Sequence, residues 1–327
     1  MGAGRRFLLG GLALVAMGSI GLATDALAES PPVLIRSWGS SGSGPGEFAS
    51  PSGIAVEGWG NVYVADSGNF RIQEFDPSGN FLLQWSVSTT GASGPTGVAV
   101  DPSGKILVTV DGLVGDPDQD CGSVRVFNSG GALLETWGPT PDYFWFPQKI
   151  AVAASGFVYV VDYLGMDFQA IRKFDAGGSI LTSWTAGWNM GPHLQDLAVH
   201  PDGRLFVAYW AHVANVVHIF DANGLPLSEW GPAGGELDSP DAIAVDPTGA
   251  VYVSNYSSRT IYKYDAQGTP LTSWGTSPFF AADLACDAAG NLYALGHDQE
   301  NWQVREYSSS AVSTRVRTWG AIKAAWR

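Results

Sequence analysis

Tryptophan recurs at a nearly constant interval along most of the chain, and this period constrains the fold more than any other feature. The intervals are 47, 52, 47, 46, 44 and 45 residues, and they separate Trp38, Trp85, Trp137, Trp184, Trp230, Trp274 and Trp319. Self-similarity at a period of about 40 to 50 residues is typical of repeat architectures. The chain therefore divides into six units.

Each unit contains the same four short apolar segments in the same order. In the first unit they are GIAVE, NVYVAD, RIQEF and FLLQW, and in the fifth they are AIAVD, AVYVSN, TIYKY and PLTSW. Their length and alternation predict β-strands, and the DPSGK, HPDGR and DAGGS sequences between them are typical of tight turns. Six antiparallel four-stranded units predict an all-β fold, a six-bladed β-propeller. The closing tryptophans would then wedge between blades.

The repeats place the domain and its blades. We predict one propeller domain over residues 29–327, and its blades lie at approximately 39–85, 86–137, 138–184, 185–230, 231–274 and 275–319. Two segments have the pattern of the fourth strand of a blade, VLIRSW at 33–38 and TRVRTW at 314–319. Either one closes the sixth blade or the blade carries an extra edge strand.

Residues 1–28 have the composition of a signal peptide. A basic start at Arg5 and Arg6 precedes an apolar run, and Ala26 and Ala28 form a small-x-small cleavage site. Cleavage after Ala28 would export the protein to the periplasm or the extracellular space. An uncleaved anchor helix is the alternative, and only then would the protein associate with a membrane.

Net charge argues against a nucleic-acid partner. The whole chain has 17 basic and 31 acidic residues, and the part after residue 28 keeps 15 and 30 of them, which is a formal charge of −15. Binding to a phosphate backbone needs a basic surface. The two cysteines, Cys121 and Cys286, are too few for a disulfide scaffold in a chain of this length.

The units resemble NHL repeats, most clearly in the first unit through PSGIAVE, GNVYVAD, NFRIQEFD and a closing Trp-Gly. The resemblance extends over roughly residues 36–320 and implies a propeller in which Asp66 and Arg71 pair within the blade. Later units depart from this pair, because the position of Asp66 is taken by Val110, Tyr209, Asn255 and Gly296. NHL relatives include lyases, kinase sensor domains and RNA-binding modules, so the resemblance indicates a fold rather than a function.

Unequal loops distinguish the two faces of the predicted ring. Connections from the second to the third strand of a unit, and from one unit to the next, are long and rich in aromatic residues, and we call the surface that they form the long-loop face. A ligand site is expected there. Stacking aromatics and polar partners for a protein, small-molecule or carbohydrate ligand are predicted at Trp145, Trp188, Trp210, Trp302, Lys149 and Asp162.

Acidic side chains precede several first strands, where the chain enters the channel of the ring. Oxygen ligands for a cation such as Ca²⁺ are predicted at Asp196, Asp241, Asp283 and Asn255. The alternative is that these carboxylates cap turns, and Lys149 would balance or exclude a cation.

His193 and His297 lie in the long loops and are the candidates for catalysis. Related amidating lyases hold zinc with several histidines at the channel mouth, and streptogramin lyases use a histidine with acidic residues there. This chain resembles them only in outline, so Zn²⁺ and general-base chemistry stay alternatives. The interpretation that the sequence favours is a non-catalytic propeller that binds a ligand or protein partner. The second hypothesis is a metal-dependent lyase or hydrolase at the channel mouth, and the third is a structural scaffold of the cell envelope.

Overall fold

The structure is a computed structural model, and it describes residues 29–87, 94–111, 122–138, 144–164, 168–185, 193–210, 216–231, 237–299 and 301–308. Six antiparallel four-stranded sheets account for nearly all of its regular structure. The strands of blades 1 to 3 are β4 (Gly53–Val56), β5 (Val62–Asp66), β6 (Arg71–Phe75) and β7 (Phe81–Ser86); β8 (Pro95–Val100), β9 (Ile106–Val110), β10 (Ser123–Phe127) and β11 (Leu133–Trp137); β12 (Phe146–Val152), β13 (Val158–Tyr163), β14 (Gln169–Phe174) and β15 (Ile180–Thr185).

Blades 4 to 6 follow the same order, except for the last strand. They comprise β16 (His193–Val199), β17 (Leu205–Trp210), β18 (Val216–Phe220) and β19 (Pro226–Trp230); β20 (Pro240–Val245), β21 (Val251–Asn255), β22 (Thr260–Tyr264) and β23 (Pro270–Gly275); β24 (Phe279–Cys286), β25 (Leu292–Asp298), β26 (Asn301–Ser308) and β1 (Val33–Trp38). Two short strands, β2 (Ser40–Ser41) and β3 (Glu47–Phe48), and a 3-10 turn at Ser67–Asn69 complete the described elements.

Ring closure joins the two ends of the propeller in one sheet. β1 pairs antiparallel with β26, and Val33 lies opposite Ser308. The first of the two candidate segments therefore supplies the fourth strand of blade 6. The second candidate, 314–319, lies outside the described residues.

Both faces of every blade are buried, as the apolar pattern predicted. Six hydrophobic clusters form the core, and each draws its residues from two neighbouring blades. Fully buried tyrosines and phenylalanines fill them, for example Tyr63, Phe174 and Tyr252. Since apolar burial is the main favourable contribution to folding, the blade–blade interfaces hold the ring together.

Tight turns place each closing tryptophan against the next blade. Glycines of the turns between third and fourth strands have φ between +75° and +88°, a conformation that a side chain disfavours. A Cβ on any of them would lie within 2.3 to 2.8 Å of the preceding blade's indole. The pairs are Gly79 with Trp38, Gly131 with Trp85, Gly178 with Trp137, Gly224 with Trp184 and Gly268 with Trp230. The predicted wedge is thus confirmed for five tryptophans.

The buried Asp66–Arg71 pair in blade 1 is also present. The Arg71 Nε donates to Asp66 Oδ2 at 2.8 Å, and both side chains are almost completely buried. The other oxygen of Asp66 accepts from the Ala49 N–H. The pair therefore anchors the long entry loop of blade 1 to the end of β5.

None of the described residues forms a helix long and apolar enough to span a bilayer.

Candidate functional sites on the long-loop face

The first strands of the six blades surround the channel, and a β-bulge shapes five of them. The register with the second strand shifts near Gly97, Lys149, Asp196, Ala242 and Asp283. A bulge re-aims side chains and often lies beside a site. The bulges thus occur at the positions whose side chains line the channel mouth.

A cavity of about 50 Å³ lies at this mouth. Lys149, Asp196 and Asp283 line it together with apolar residues of the first strands and with Gly97. This volume is enough for an ion or a few waters and well below the several hundred Å³ of a drug-sized ligand site. The channel mouth is therefore a small polar chamber.

An ion pair crosses the chamber from blade 3 to blade 6. The Lys149 Nζ lies 3.0 Å from Asp283 Oδ1 and donates a second, longer bond to the Ser52 carbonyl. The side chains are only 18% and 10% exposed. A buried charge is tolerated only when it is paired in this way.

Two of the acidic side chains tie neighbouring blades together. Asp196 accepts the N–H of Ile243 at 2.9 Å and that of Leu197 at 2.8 Å. Asp283 accepts the N–H of Ile54 at 2.7 Å with the oxygen that Lys149 does not contact. Each carboxylate therefore bridges its own first strand to that of the next blade.

Burial and charge together set the protonation equilibria of the chamber. Burial raises the pKa of Asp196 to about 7, with Lys149 opposing and Asp283 adding to the rise. Burial likewise raises the pKa of Asp241 to about 6. Burial by itself would lower the pKa of Lys149, but the surrounding carboxylates outweigh it and hold this pKa above its usual value. Lys149 is thus a permanent cation.

The metal candidates do not form one ligand set in the part of the chain that is described. No group of three or more His, Cys, Asp or Glu side chains there is arranged to hold a metal ion. Both oxygens of Asp283 are engaged by Lys149 and a backbone amide. Asn255 lies apart, at the end of β21, where its oxygen accepts the Ser239 N–H.

Asp162 has the same anchoring role as Asp66. Its oxygens accept the N–H groups of Trp145 and Phe146 at 2.9 Å and the Arg172 Nε at 2.8 Å, and the side chain is fully buried. The predicted binding residue therefore lies inside blade 3 and holds an entry loop. Trp145, which this loop presents, is 48% exposed.

His193 belongs to a separate group at the junction of blades 3 and 4. Its Nδ1 lies 2.9 Å from the Tyr163 hydroxyl, and its ring stacks on Trp210 at 5.9 Å between centroids. Trp188 lies outside the described residues.

A groove of about 340 Å³ lies between blades 5 and 6 on the long-loop face. We call it the blade 5–6 groove, and its lining residues are Tyr256, Ser257, Ser258, Arg259, Ser277, Phe280 and His297. Its volume is that of a site for a small organic molecule.

A row of four aromatic rings runs along this groove. Tyr256 meets Phe280 edge to face at 4.6 Å, Phe280 meets His297 at 5.4 Å, and His297 meets Trp302 at 4.6 Å. Tyr256 is 59% exposed, which leaves one ring open for stacking. His297 Nδ1 lies 2.8 Å from the carbonyl of Gln299. Because a carbonyl only accepts, Nδ1 carries the proton and Nε2 remains for another partner.

Sequence reasoning found His297 and Trp302 but missed Tyr256 and Arg259. These two residues lie in the short turn after β21, where no periodic pattern singles them out. The available signal was the replacement of the repeat's Asp and Arg by Asn255 and Thr260, which pair across the strands at the positions of Asp66 and Arg71. Blades 2, 4 and 6 also lack the Asp of the repeat, so this signal alone does not single out blade 5.

Comparisons with known proteins agree with this fold. The sequence profile of the NHL repeat matches residues 48–75. NHL repeat-containing protein 3 of Homo sapiens is 41% identical over 71 residues, which are 21% of this chain and 20% of that protein. Protein brain tumor of Drosophila melanogaster is 31% identical over 129 residues, 38% of this chain and 12% of that protein. Peptidyl-glycine alpha-amidating monooxygenase A of Xenopus laevis is 25% identical over 237 residues, which are 72% of this chain and 21% of that protein.

The matched part of this chain thus spans about a fifth of those relatives or less. Solved structures are similar over a larger share. A gluconolactonase from Xanthomonas campestris has a TM-score of 0.58 at 16% identity and covers 86% of this chain and 88% of its own. A streptogramin B lyase has a TM-score of 0.56 at 15% identity, and the match covers 81% of this chain and 95% of the lyase chain. At these identities the likeness concerns the fold. Residues 48–75 therefore match the NHL repeat, and the fold of the chain is a six-bladed β-propeller.

Proposed function

We propose that the protein binds a small ligand in the blade 5–6 groove of its long-loop face. The observation that carries the proposal is the row of aromatic rings that ends in the open face of Tyr256. An exposed aromatic ring beside a cavity offers dispersion and stacking to a flat or ring-shaped ligand. The serines of the turn and Ser277 add hydroxyl groups that donate and accept.

A sugar is the class of ligand that fits these groups best. Its ring has apolar C–H faces for Tyr256 and hydroxyl groups for the serines and for His297 Nε2. A groove of about 340 Å³ accommodates one or two such rings. The groove is wider than the channel-mouth chamber, so we assign ligand binding to the groove rather than to the channel.

Removal of the open ring tests the proposal. Neutral methyl glycosides and disaccharides are titrated into the protein by calorimetry or by ligand-observed NMR. Tyr256→Ala should weaken binding about 10-fold, which corresponds to about 1.4 kcal/mol. Trp59→Ala is the control, because Trp59 is an exposed aromatic residue in the turn between β4 and β5, outside the groove. Equal losses in the two variants, or no binding of any glycoside, would refute the assignment.

Export of the mature chain is also part of the proposal. In support, the Glu29 N–H donates to the Leu271 carbonyl at 3.0 Å and the Glu29 carboxylate pairs with Lys263, so the chain is anchored directly after the predicted cleavage site. N-terminal sequencing of the protein from cell fractions should find Glu29 as the first residue in the exported fraction. Retention of residues 1–28 in the cytosol would contradict it.

Acid–base chemistry in the channel-mouth chamber is a second candidate. The observation in its favour is Asp196, whose pKa lies near neutrality in a cavity beside a fixed ammonium group. A carboxyl group that titrates near the working pH is suited to general acid or base catalysis. The gluconolactonase and the streptogramin B lyase have this fold, so lactone hydrolysis and lyase cleavage are the reactions to assay. Activity that Asp196→Asn abolishes would support this candidate.

A further inference from the structure

We propose that the blade 5–6 groove selects sugars that bear a carboxylate, of the uronic acid class, and that Arg259 is the residue that selects them. This inference rests on the proposed function, since it names the ligand class of the same groove. The observation behind it is that the arginine of blade 5 lies one position before the place that arginine has in the repeat.

In blade 1 the arginine of the repeat makes only structural contacts within the described residues. Arg71 opens β6 opposite Asp66 and is 7% exposed, because its guanidinium pairs with that carboxylate and donates to three loop carbonyls. Blade 3 neutralises Asp162 in the same way with Arg172. Arg71 therefore has no donor left for a ligand.

Blade 5 has the same backbone frame with uncharged side chains at these two positions. Asn255 stands at the position of Asp66; its oxygen accepts the Ser239 N–H, and its amide donates to the Asp238 carboxylate and to the Ser258 hydroxyl. Thr260 stands at the position of Arg71. The anchor therefore needs no arginine.

The arginine of blade 5 lies one residue earlier, at 259, and lines the groove. Arg259 is exposed, and its side chain has no hydrogen bond or ion pair with any residue in the described ranges. Its carbonyl accepts from both the N–H and the hydroxyl of Thr276, which fixes the backbone of the turn. Its φ of +50° is uncommon for a residue with a side chain. An arginine is thus held at a strained turn position without a structural partner.

The charges around the groove favour an anion. Arg259 is the one Arg or Lys among its lining residues, and no Asp or Glu is among them. The carboxylate of Asp238 lies beside the groove, where it accepts from Asn255 and from the lining residue Ser257. Guanidinium binds carboxylate through two parallel hydrogen bonds. In a chain with a net charge of −14, an unpaired arginine beside stacking rings is an electrostatically distinct position for an acidic ring.

The test compares two ligands that differ only in the charged group. Methyl glucuronide carries a carboxylate where methyl glucoside carries a hydroxymethyl group, and both are titrated into the mature chain. We expect methyl glucuronide to bind at least about 10-fold more tightly, as charge-assisted hydrogen bonds are about twice as strong as neutral ones. This ratio should fall as ionic strength rises.

Variants assign the ratio to one residue. Arg259→Gln should weaken glucuronide binding until the glucuronide-to-glucoside ratio is close to 1, and Arg259→Lys should retain part of the ratio. Arg204→Gln is the control, because Arg204 lies away from the groove, in a turn between first and second strands, where it pairs with Asp202 and lies over the Phe206 ring. Thermal melting checks that each variant is folded.

The outcomes separate this inference from the proposed function. A ratio near 1 in the unmodified protein, with Tyr256-dependent glucoside binding, overturns the acidic-sugar inference and leaves sugar binding in the groove standing. A ratio that survives Arg259→Gln overturns the role of Arg259. Tight binding of glucose 6-phosphate without binding of glucuronide overturns the carboxylate assignment. Binding of neither glycoside overturns the proposed function and this inference together.

Discussion

Replacement of Lys149 by methionine is the most informative perturbation of the channel-mouth chamber. The substitution keeps the length of the side chain and removes its charge. Asp283, Asp196 and Asp241 then remain in the chamber without their shared cation. We expect a less stable protein with an unchanged fold.

The structure sets the size of the effect. At 3.0 Å and an effective dielectric constant of about 20, the attraction between Lys149 and Asp283 is about 5 kcal/mol before desolvation is subtracted. Loss of one partner of a buried pair typically costs about 3 to 5 kcal/mol. Because the Lys149 side chain is 18% exposed, we place the cost at the lower end, about 3 kcal/mol. For a chain of this size that is a fall in Tm of about 6 °C.

Melting followed by circular dichroism at pH 7 measures the effect, with two controls. Lys105→Met removes a partner of an exposed pair, whose side chains are 35% and 40% exposed, and should cost at most about 1 kcal/mol. The double variant Lys149→Met/Asp283→Asn should recover much of the loss, because a neutral amide replaces the uncompensated charge. A fall of under about 1 °C for Lys149→Met, or losses that simply add in the double variant, would refute the reasoning.

Three further perturbations test other parts of the ring. Burial raises the pKa of Asp196 from 3.8 to about 7, so the stability that this carboxyl group contributes is fully present below about pH 4 and is lost as the pH rises through 7. Tm should therefore fall between about pH 4 and pH 7, and it should fall less in Asp196→Asn. Arg71→Met should cost about 3 to 5 kcal/mol in urea or thermal unfolding, since it leaves the Asp66 carboxylate buried without its cation; a cost below 1 kcal/mol would contradict this. Gly79→Ala should lower Tm more than Gly104→Ala, because both glycines have positive φ but only at Gly79 would a Cβ meet an indole ring.

The fold could be predicted because its determinants repeat. The tryptophan interval fixed the number of blades, and the turn glycines that receive the tryptophans recur with it. Asp66 and Arg71 were predictable as a pair because they belong to the repeat and face each other across β5 and β6. Because the same features recur in six units, the common architecture can be predicted even where a single unit departs from the motif.

The channel-mouth chamber was partly predictable for the same reason. Side chains at the start of every first strand converge on the axis of the ring, so Lys149, Asp196 and Asp283 were identifiable as neighbours. Their contacts were not identifiable, because the choice between a metal ligand and a blade-bridging acceptor depends on which backbone N–H lies within 3 Å. Asn255 illustrates the difficulty, since its carbonyl oxygen is directed to the Ser239 N–H.

The blade 5–6 groove could not be predicted from periodicity. Arg259 departs from the repeat by a single position, and that shift moves a guanidinium from the interior of a blade to a surface groove. The neighbouring Tyr256 becomes meaningful only when Phe280 of the next blade is seen beside it. Features that arise between blades, rather than within a repeat, need the structure.

The pairing of β1 with β26 has a consequence for the order of assembly. The strand at 33–38 is synthesised early, yet its hydrogen-bonding partner at 301–308 follows about 270 residues later. Blades 1 to 5 each have all four strands in one continuous stretch, whereas blade 6 has an unpaired edge until both segments are present. Contacts of such high sequence separation form slowly, and an open strand edge is a template for misassociation. A chain that is still being synthesised therefore carries an incomplete ring with two open strand edges, and the pairing of β1 with β26 in blade 6 is the step that closes the ring.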